Sequence, residues 1–252
     1  MPPLPQVFVT TPIAHRGLHG PDAPENSLAA ADAAIAAGYG IELDIQPAAC
    51  GTPMVFHDYD LARLTGQPGF IATSGLDDIA GFRLLGTDQG VPTLAQFLDR
   101  VAGRVPLLIE IKDQDGACGP NTGDLSAAVA RVLAGYAGPV AVMSFNPHMV
   151  AAFRDVAPDT PVGLTTCDFG ADDWPNVPDA RREELAQIAD FDAVGASFMS
   201  HDHTDLTRPR VADLRAAGHP VLCWTIRNAE SERAARRHAD NITFEDYTPA
   251  AS

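Results

Sequence analysis

Short apolar runs rich in Val, Ile, Leu and Phe alternate along the chain with alanine-rich segments whose apolar residues recur at helical spacing. The apolar runs predict strands at residues 12–17, 40–46, 54–58, 106–112, 140–145, 161–166, 193–198, 220–226 and 241–245. The intervening segments predict helices at residues 25–37, 93–102, 124–136, 147–156, 181–190, 208–217 and 231–239. We expect the run at 54–58 to pair with 40–46 as a hairpin-like extension, because only a short turn at Cys50-Gly51 separates them.

The alternation of strands and helices favours a parallel sheet. A chain of 252 residues has the usual length of a (β/α)8 TIM barrel, so closure of the sheet is favoured over an open doubly wound sheet. No Gly-x-Gly-x-x-Gly follows a predicted strand, which argues against a dinucleotide-binding fold. We therefore predict an α/β fold with one barrel domain over residues 1–252.

Residues 59–92 interrupt the rhythm with glycines and little periodicity, and they predict an inserted subregion that covers one rim of the barrel. A lid that shapes substrate access and a purely structural excursion are both compatible with this composition.

The charge balance excludes some classes of partner. The chain has 17 basic and 33 acidic side chains and a formal charge of -16, which repels nucleic acid and anionic membranes.

The apolar runs of the chain stay below the eighteen or so residues that a membrane-spanning helix needs. The first residues lack the basic and apolar regions of a secretory signal, so we expect a cytoplasmic location and reduced cysteines.

Three acidic residues interrupt apolar strands. Glu42 and Asp44 lie in Gly-Ile-Glu-Leu-Asp-Ile, and Glu110 lies in Leu-Leu-Ile-Glu-Ile-Lys. Alternate residues of a strand face the same side, and buried carboxylates are costly unless they are paired or bind metal. The pattern predicts three oxygen ligands for a hard divalent cation, Mg²⁺ or Ca²⁺. The alternative is a buried ion-pair network with Lys112 and Arg16.

Two histidines, His15 and His57, end predicted strands, and the carboxyl ends of barrel strands carry active sites. Two imidazoles on either side of a phosphorus would supply an acid and a base. Each could instead be a metal ligand, and His15 taken alone could be a structural histidine bonded to backbone. Arg16 and Lys112 would supply positive charge for phosphoryl oxygens. A small phosphate ester can therefore still bind, although the chain as a whole is acidic.

Other polar and aromatic residues stand at strand ends or beside the candidate histidines. Phe145 and Asn146 are expected to line the pocket, while Trp224 is either core or an apolar wall for the substrate. Glu25-Asn26 is expected to cap and orient the first helix, with Glu25 as a possible support for a site residue. Asp58 is expected to support the neighbouring histidine.

A further group, His201-Asp202-His203, resembles a metal motif. We expect it to lie solvated in a loop, because the sequence indicates no third ligand beside it.

Taken in order, these motifs resemble the glycerophosphodiester phosphodiesterase family. The resemblance covers nearly the whole chain and rests on Ala14-His15-Arg16-Gly17, Pro24-Glu25-Asn26-Ser27, Glu42-Leu43-Asp44, His57-Asp58 with Leu61, Arg63, Thr65 and Gly66, Val91-Pro92-Thr93-Leu94, Glu110-Ile111-Lys112, Ser144-Phe145-Asn146-Pro147 and Trp224-Thr225.

The resemblance implies a (β/α)8 barrel with an insertion after the second strand. It implies a divalent cation held by Glu42, Asp44 and Glu110, and an acid-base pair of His15 and His57. It also implies metal-dependent hydrolysis of glycerophosphodiesters to glycerol 3-phosphate and an alcohol, through a cyclic phosphate formed by the substrate's own glycerol hydroxyl.

The chain departs from the family pattern at three places. Cys50-Gly51 replaces an Asp-Gly turn, Gln96 replaces a common glutamate, and Phe244-Glu245 stands near a Thr-Asp pair. The first two are expected to be scaffold changes, whereas the extra acid at Glu245 could alter substrate choice.

Two alternative functions stay open. One is a phosphodiesterase for lysophospholipids or sphingolipid-type diesters, which an exposed apolar patch at Phe70, Ile71 and Phe82 would favour. The other is a barrel that binds phosphodiesters without cleaving them, although two proton-transfer groups argue against it.

Overall fold

The computed structural model of the protein describes residues 2–249, and within them a nine-stranded sheet forms the centre of the fold. Its strands are β1 (Ile13–Ala14), β2 (Gly40–Pro47), β3 (Pro53–Val55), β4 (Leu107–Ile111), β5 (Val140–Ser144), β6 (Val162–Thr166), β7 (Phe198–Asp202), β8 (Val221–Ile226) and β9 (Asn241–Phe244).

Within this part of the chain, eight parallel strands close a barrel. The order runs β1, β9, β8, β7, β6, β5, β4, β2, and the short β1 also pairs with β2 to complete the ring. Strand β3 stays outside the ring and pairs antiparallel with β2, with Ile45 opposite Val55. The predicted (β/α)8 barrel is confirmed, and so is the hairpin-like pairing of the extra strand.

Helices connect the barrel strands and cover the outside. The described residues contain α1 (Val7–Thr10), α2 (Leu28–Ala37), α3 (Ala62–Thr65), α4 (Leu76–Gly81), α5 (Leu94–Val101), α6 (Leu125–Leu133), α7 (Pro147–Val156), α8 (Asp179–Ala186), α9 (Pro209–Ala216) and α10 (Ala229–Ala235). All seven helices predicted from periodicity are present; α7 has the predicted bounds, and the other six differ at one or both ends. No helix in residues 2–249 combines the length and the apolar character that a membrane span requires.

The helix starts show which polar residues act as caps. Ser27 is the N-cap of α2, because its hydroxyl accepts a hydrogen bond from the Ala30 amide. The prediction that Glu25-Asn26 caps this helix is therefore wrong. Thr93 and Gln96 form a reciprocal capping box on α5. The Asn146 side chain caps α7 by accepting from the His148 amide.

The inserted subregion contains α3, α4 and a 3₁₀ turn (Ile71–Thr73) around a small apolar core of its own. Ile71 is fully buried in that core and Phe82 packs against it, whereas Phe70 is 57% exposed. The patch expected from these three residues is therefore reduced to one exposed ring.

The strand predicted at 193–198 instead lies at Phe198–Asp202. Residues 190–196 form turns in which the Val194 amide donates to Asp190 and Gly195 takes a φ of +70°. The strand lies in the stretch that follows, Phe-Met-Ser-His-Asp, which is apolar at its start and polar at its end. His201 is fully buried there and its Nδ1 lies 2.7 Å from the Thr166 hydroxyl, so the prediction of a solvated loop is wrong for His201.

Candidate active site

Three carboxylates converge inside the barrel because β2 and β4 are neighbouring strands. Asp44 stands opposite Glu110 in the strand register, and Glu42 precedes Asp44 by one strand repeat, so all three point to the same side. Ligand oxygens of Glu42, Asp44 and Glu110 lie within 4.8 Å of one another, and all three residues are buried. The convergence expected from the strand pattern is therefore present.

Two basic side chains, Lys112 and Arg16, contact this acidic cluster. Lys112 Nζ is 2.7 Å from Asp44 Oδ1 and 2.5 Å from Glu110 Oε1. Arg16 Nε is 3.4 Å from Asp44 Oδ2, and its backbone amide donates to Glu42 Oε2 at 3.0 Å. The ion-pair network considered as an alternative thus exists, but two basic groups face three acids.

The electrostatics of the cluster show an excess of negative charge. Burial raises the pKa of Glu42 well above its usual value, and repulsion from Asp44 and Glu110 adds to the rise. Burial would also raise the pKa of Asp44, but Lys112, followed by His57 and Arg16, holds it far below its usual value. A buried, all-oxygen donor set with uncompensated charge fits a hard divalent cation such as Mg²⁺ or Ca²⁺.

His15 lies at the end of β1, where its backbone amide donates to the Phe244 carbonyl. Its Nε2 is 4.0 Å from Glu42 Oε2 and its Nδ1 is 2.5 Å from Glu245 Oε2. Burial lowers the pKa of His15, and this outweighs the hydrogen bond to Glu245, which raises it. The structure thus makes Glu245 a direct partner of His15, a role that its place just after the last strand did not reveal.

Two further side chains contact Glu245, and sequence reasoning singled out neither. His19 Nε2 lies 3.3 Å from the same Oε2 atom. Arg227 Nε donates to the other oxygen, Oε1, at 2.7 Å. Burial would raise the pKa of Glu245, but the hydrogen bonds from His15 and His19 lower it well below its usual value.

His57 is held by a chain of charged hydrogen bonds. Its Nδ1 lies 2.6 Å from Asp58 Oδ1, as the predicted support requires. Arg63, from the inserted subregion, donates to both oxygens of Asp58 and both oxygens of Glu25, at 2.6–2.9 Å. Glu25 in turn accepts from Arg16 Nη1 at 2.6 Å. Arg63 was missed as a site residue, although the family motif includes it.

The turn after β1 brings its polar groups close to the cluster. Arg16 and Gly17 have φ angles of +55° and +80°, and a Cβ on Gly17 would lie 2.8 Å from the Ala30 Cβ. Asn26, with φ at +59°, donates from Nδ2 to Asp44 Oδ2 at 2.9 Å. Asn26 therefore orients a carboxylate instead of capping a helix.

One cavity at the mouth of the barrel collects most of the predicted site. It is lined by His15, Arg16, Glu42, Asp44, His57, Glu110, Lys112, Met143, Phe145, Thr165, Trp224, Thr225, Arg227 and Thr243. The hydroxyls of Thr165 and Thr243 are buried and have no hydrogen-bond partner within residues 2–249. These two threonines were not predicted, and they offer the cavity polar atoms that a ligand could satisfy.

The aromatic wall matches one part of the prediction and corrects another. Phe145 and Trp224 pack edge to face with ring centroids 5.5 Å apart, and the Trp224 indole donates to the Ser200 carbonyl. Asn146 is fully buried, and its amide donates to Asp113 and to the Gly119 carbonyl. It lies behind the wall as a helix cap, so the prediction that Asn146 lines the pocket is wrong.

The sequence matches a family model over residues 15–246, and that model describes the glycerophosphoryl diester phosphodiesterase family. A glycerophosphodiester phosphodiesterase of Caldanaerobacter subterraneus is 30% identical, and the match covers 94% of each chain. A glycerophosphodiester phosphodiesterase of Bacillus subtilis is 27% identical, covering 85% of this chain and 80% of its own.

Solved structures have the same fold. A phosphodiesterase of Oleispira antarctica, in complex with the product sn-glycerol-3-phosphate, superposes with a TM-score of 0.76 at 24% identity, covering 96% and 95% of the two chains. A glycerophosphodiester phosphodiesterase of Agrobacterium tumefaciens superposes with a TM-score of 0.68 at 25% identity, covering 94% and 96%.

Proposed function

Because the chain belongs to the glycerophosphoryl diester phosphodiesterase family, we propose that it hydrolyses glycerophosphodiesters to glycerol 3-phosphate and an alcohol at the mouth of its barrel. The observation that carries this proposal is the single cavity that joins two histidines, three buried carboxylates and two basic side chains. Phosphodiester hydrolysis needs those three elements together, namely proton transfer, charge neutralisation and anion binding.

In the proposed site, Glu42, Asp44 and Glu110 hold a divalent cation, Mg²⁺ or Ca²⁺. When bound, that cation supplies Lewis acidity to the phosphoryl oxygens. Arg16 and Lys112 bind the phosphoryl group, Arg16 as a two-pronged donor and Lys112 as a point charge.

His15 and His57 transfer the protons. One of them takes the proton of the attacking hydroxyl, and the other gives a proton to the leaving alkoxide. The attacking group is a hydroxyl of the substrate's own glycerol, so the first product is a cyclic phosphate that water then opens. Both rings are held at Nδ1 by a carboxylate, His15 by Glu245 and His57 by Asp58, which leaves Nε2 to exchange protons.

Phosphorus NMR tests the proposal directly. We expect wild-type protein with Mg²⁺ or Ca²⁺ to convert glycerophosphocholine, glycerophosphoethanolamine or glycerophosphoglycerol to glycerol 3-phosphate, with a transient cyclic phosphate. His15→Ala and His57→Ala should each lose about 10²- to 10⁴-fold in kcat, whereas His238→Ala, at an exposed position, should not change it. Wild-type rates in either site variant would contradict the assigned roles.

The two alternative functions have less support. The chain is an enzyme by family membership, which sets aside a barrel that only binds. A lysophospholipid substrate would be favoured by an exposed apolar patch at Phe70, Ile71 and Phe82. Ile71 is buried and Phe82 packs against the core of the inserted subregion, so only Phe70 of these three is exposed. The same NMR assay with lysophosphatidylcholine would decide this point.

The cytoplasmic location and the rejection of nucleic acid remain predictions from sequence.

A further inference from the structure

A second group of metal-ligating side chains lies beside the proposed active site, and the reaction proposed above does not use it fully. His15, His19 and Glu245 each present one ligand atom, and these atoms lie within 4.8 Å of one another. His19 in particular has no part in binding or cleaving the phosphodiester as proposed.

We propose that His15, His19 and Glu245 form a separate site for a borderline-soft divalent ion of the zinc type, and that this ion inhibits the enzyme. The inhibitory part rests on the proposed function, because it depends on His15 as one of the two proton-transfer groups.

The donor geometry supports the site. His15 Nδ1 and His19 Nε2 lie 2.5 and 3.3 Å from the same oxygen, Glu245 Oε2. Donors around a tetrahedral zinc with bonds of about 2.0–2.1 Å lie roughly 3.3 Å apart. The His19 to Glu245 separation already has that value, and the His15 ring needs to move back by less than about 1 Å to reach it.

The carboxylate is oriented as a ligand would be. Arg227 binds Oε1 of Glu245 through Nε at 2.7 Å and through Nη2 at 2.6 Å, so Oε2 is directed to the two imidazoles. Hydrogen-bonded support of this kind is the usual environment of a ligating carboxylate. The three ligand side chains are only 12–21% exposed, which limits competition from water.

Backbone contacts fix the segments that carry the ligands. The His15 amide donates to Phe244, the His19 amide to Gly17 and the Glu245 amide to Ile226, all at 2.9–3.0 Å. The site therefore spans the first and last strands of the barrel without depending on a long loop.

Ligand chemistry distinguishes this site from the three-carboxylate cluster. Two imidazoles and one carboxylate are the protein ligands of many zinc sites, whereas three carboxylates favour Mg²⁺ or Ca²⁺. The two ligand sets should therefore bind different ions at the same time.

Occupancy has a chemical consequence for His15. A metal ion on Nδ1 leaves the remaining ring proton on Nε2, the nitrogen that faces Glu42 and the cavity. His15 can then no longer accept a proton at that atom, and the proposed cleavage stops.

Zinc binding can be measured without turnover, by equilibrium dialysis and by the visible absorption of Co²⁺ as a substitute ion. With the full chain and excess Mg²⁺, we expect one tightly bound Zn²⁺ and a Co²⁺ spectrum typical of nitrogen ligands. His19→Ala and Glu245→Gln should each weaken Zn²⁺ binding at least tenfold, whereas Glu110→Gln and His238→Ala should leave it intact. Thermal unfolding of each variant shows whether the fold is kept. Because two ligands are replaced independently, the test can still be made if one of the two variants does not fold.

Two binding outcomes would overturn the site. One is unchanged Zn²⁺ affinity in folded His19→Ala and Glu245→Gln proteins. The other is loss of Zn²⁺ on Glu110→Gln or displacement by Mg²⁺, which would place the ion in the three-carboxylate cluster.

Inhibition is tested separately. Zn²⁺ should lower the hydrolysis rate of the wild type in excess Mg²⁺, and His19→Ala should need at least tenfold more Zn²⁺ for the same fractional loss, relative to its own zinc-free rate. Equal sensitivity of the two proteins would refute the inhibitory role. If the wild type cleaves no diester at all, the proposed function fails, and dialysis still decides whether the zinc site exists.

Discussion

Lys112 and Asp44 form an ion pair across two neighbouring barrel strands, with Nζ 2.7 Å from Oδ1. The same ammonium also contacts Glu110, so one cation lies between two of the three acids proposed to bind metal. Breaking a buried ion pair leaves its partner uncompensated, which typically costs about 3–5 kcal/mol.

Lys112→Met keeps much of the side chain's length and removes its charge. In the absence of divalent cations, we expect the free energy of unfolding to fall by about 3–5 kcal/mol. Mg²⁺ or Ca²⁺ should restore part of this loss, because a bound cation neutralises the same carboxylates. Urea unfolding with EDTA and with Mg²⁺ measures both values, and an equal loss under the two conditions would argue against a shared acidic site.

Arg63 is expected to matter for catalysis although it lies in the inserted subregion. It joins Asp58, the partner of His57, to Glu25, the partner of Arg16. Arg63→Ala should lower kcat/KM by about 10- to 100-fold, the usual effect of losing a group that orients site residues. Arg100→Ala is the matched control, since its 3.6 Å ion pair with Asp32 is about half exposed. Similar kinetics for the two variants would show that the arginine bridge does not support the site.

The same bridge predicts how stability depends on pH. Burial would raise the pKa values of Asp58 and Glu25, but His57 and Arg63 lower that of Asp58, and Arg63 and Arg16 lower that of Glu25. Groups with a lowered folded-state pKa stabilise the fold above their unfolded pKa, about 4, and lose this contribution as the pH falls through the folded value. Below pH ~5 the free energy of unfolding should therefore fall as the pH is lowered. In Arg63→Ala the free energy of unfolding should fall less steeply over the same range, and parallel curves for the two proteins would contradict this assignment.

The cysteines should differ sharply in reactivity. Burial raises the pKa of Cys118, Cys167 and Cys223 to about 12, whereas the exposed Cys50 has its pKa lowered by a hydrogen bond with the Thr52 hydroxyl. A disulfide reagent such as DTNB should titrate one thiol in the native protein and four after denaturation. Cys50→Ser should remove the native reaction, and a second fast thiol would show that a buried cysteine is accessible.

Gly163 on β6 is expected to be intolerant of even a methyl group. A Cβ there would lie 2.5 Å from the Phe198 ring on the neighbouring strand, so Gly163→Ala should cost about 1–3 kcal/mol through overpacking. Gly135→Ala is the control, because beyond the adjoining residues no atom lies within 4 Å of its added Cβ. Denaturant midpoints of the two variants test the difference, and equal midpoints would indicate that the ring moves aside at little cost.

The barrel could be predicted from the alternation of strands and helices together with the chain length, and the acidic cluster from strand periodicity. Glu42, Asp44 and Glu110 interrupt strongly apolar strands, and the two-residue repeat determines which side they face. The register between β2 and β4, which places Asp44 opposite Glu110, then brings the three carboxylates together.

Periodicity failed where polar residues are buried by partners from distant parts of the chain. His201 is buried on β7, where its Nδ1 contacts the Thr166 hydroxyl of β6, and nothing near His201 in the sequence indicates that pairing. Asn146 shows a related limit, since cap and pocket residues both follow strand ends and differ only in the direction of the side chain. Glu25, Asn26 and Ser27 are consecutive polar residues before α2, and the sequence does not indicate which of them is the cap. The partnership of His15 with Glu245 was missed for the same reason.

Strand β1 is only two residues long, yet it joins the first and last segments of the barrel, and His15 meets Glu245 across 230 positions of sequence. The carboxylate that holds His15 comes from the residue directly after β9, the strand that closes the ring against β1. A barrel left open between these two strands would therefore keep the pairing of β2 with β4 but lose the group that orients His15.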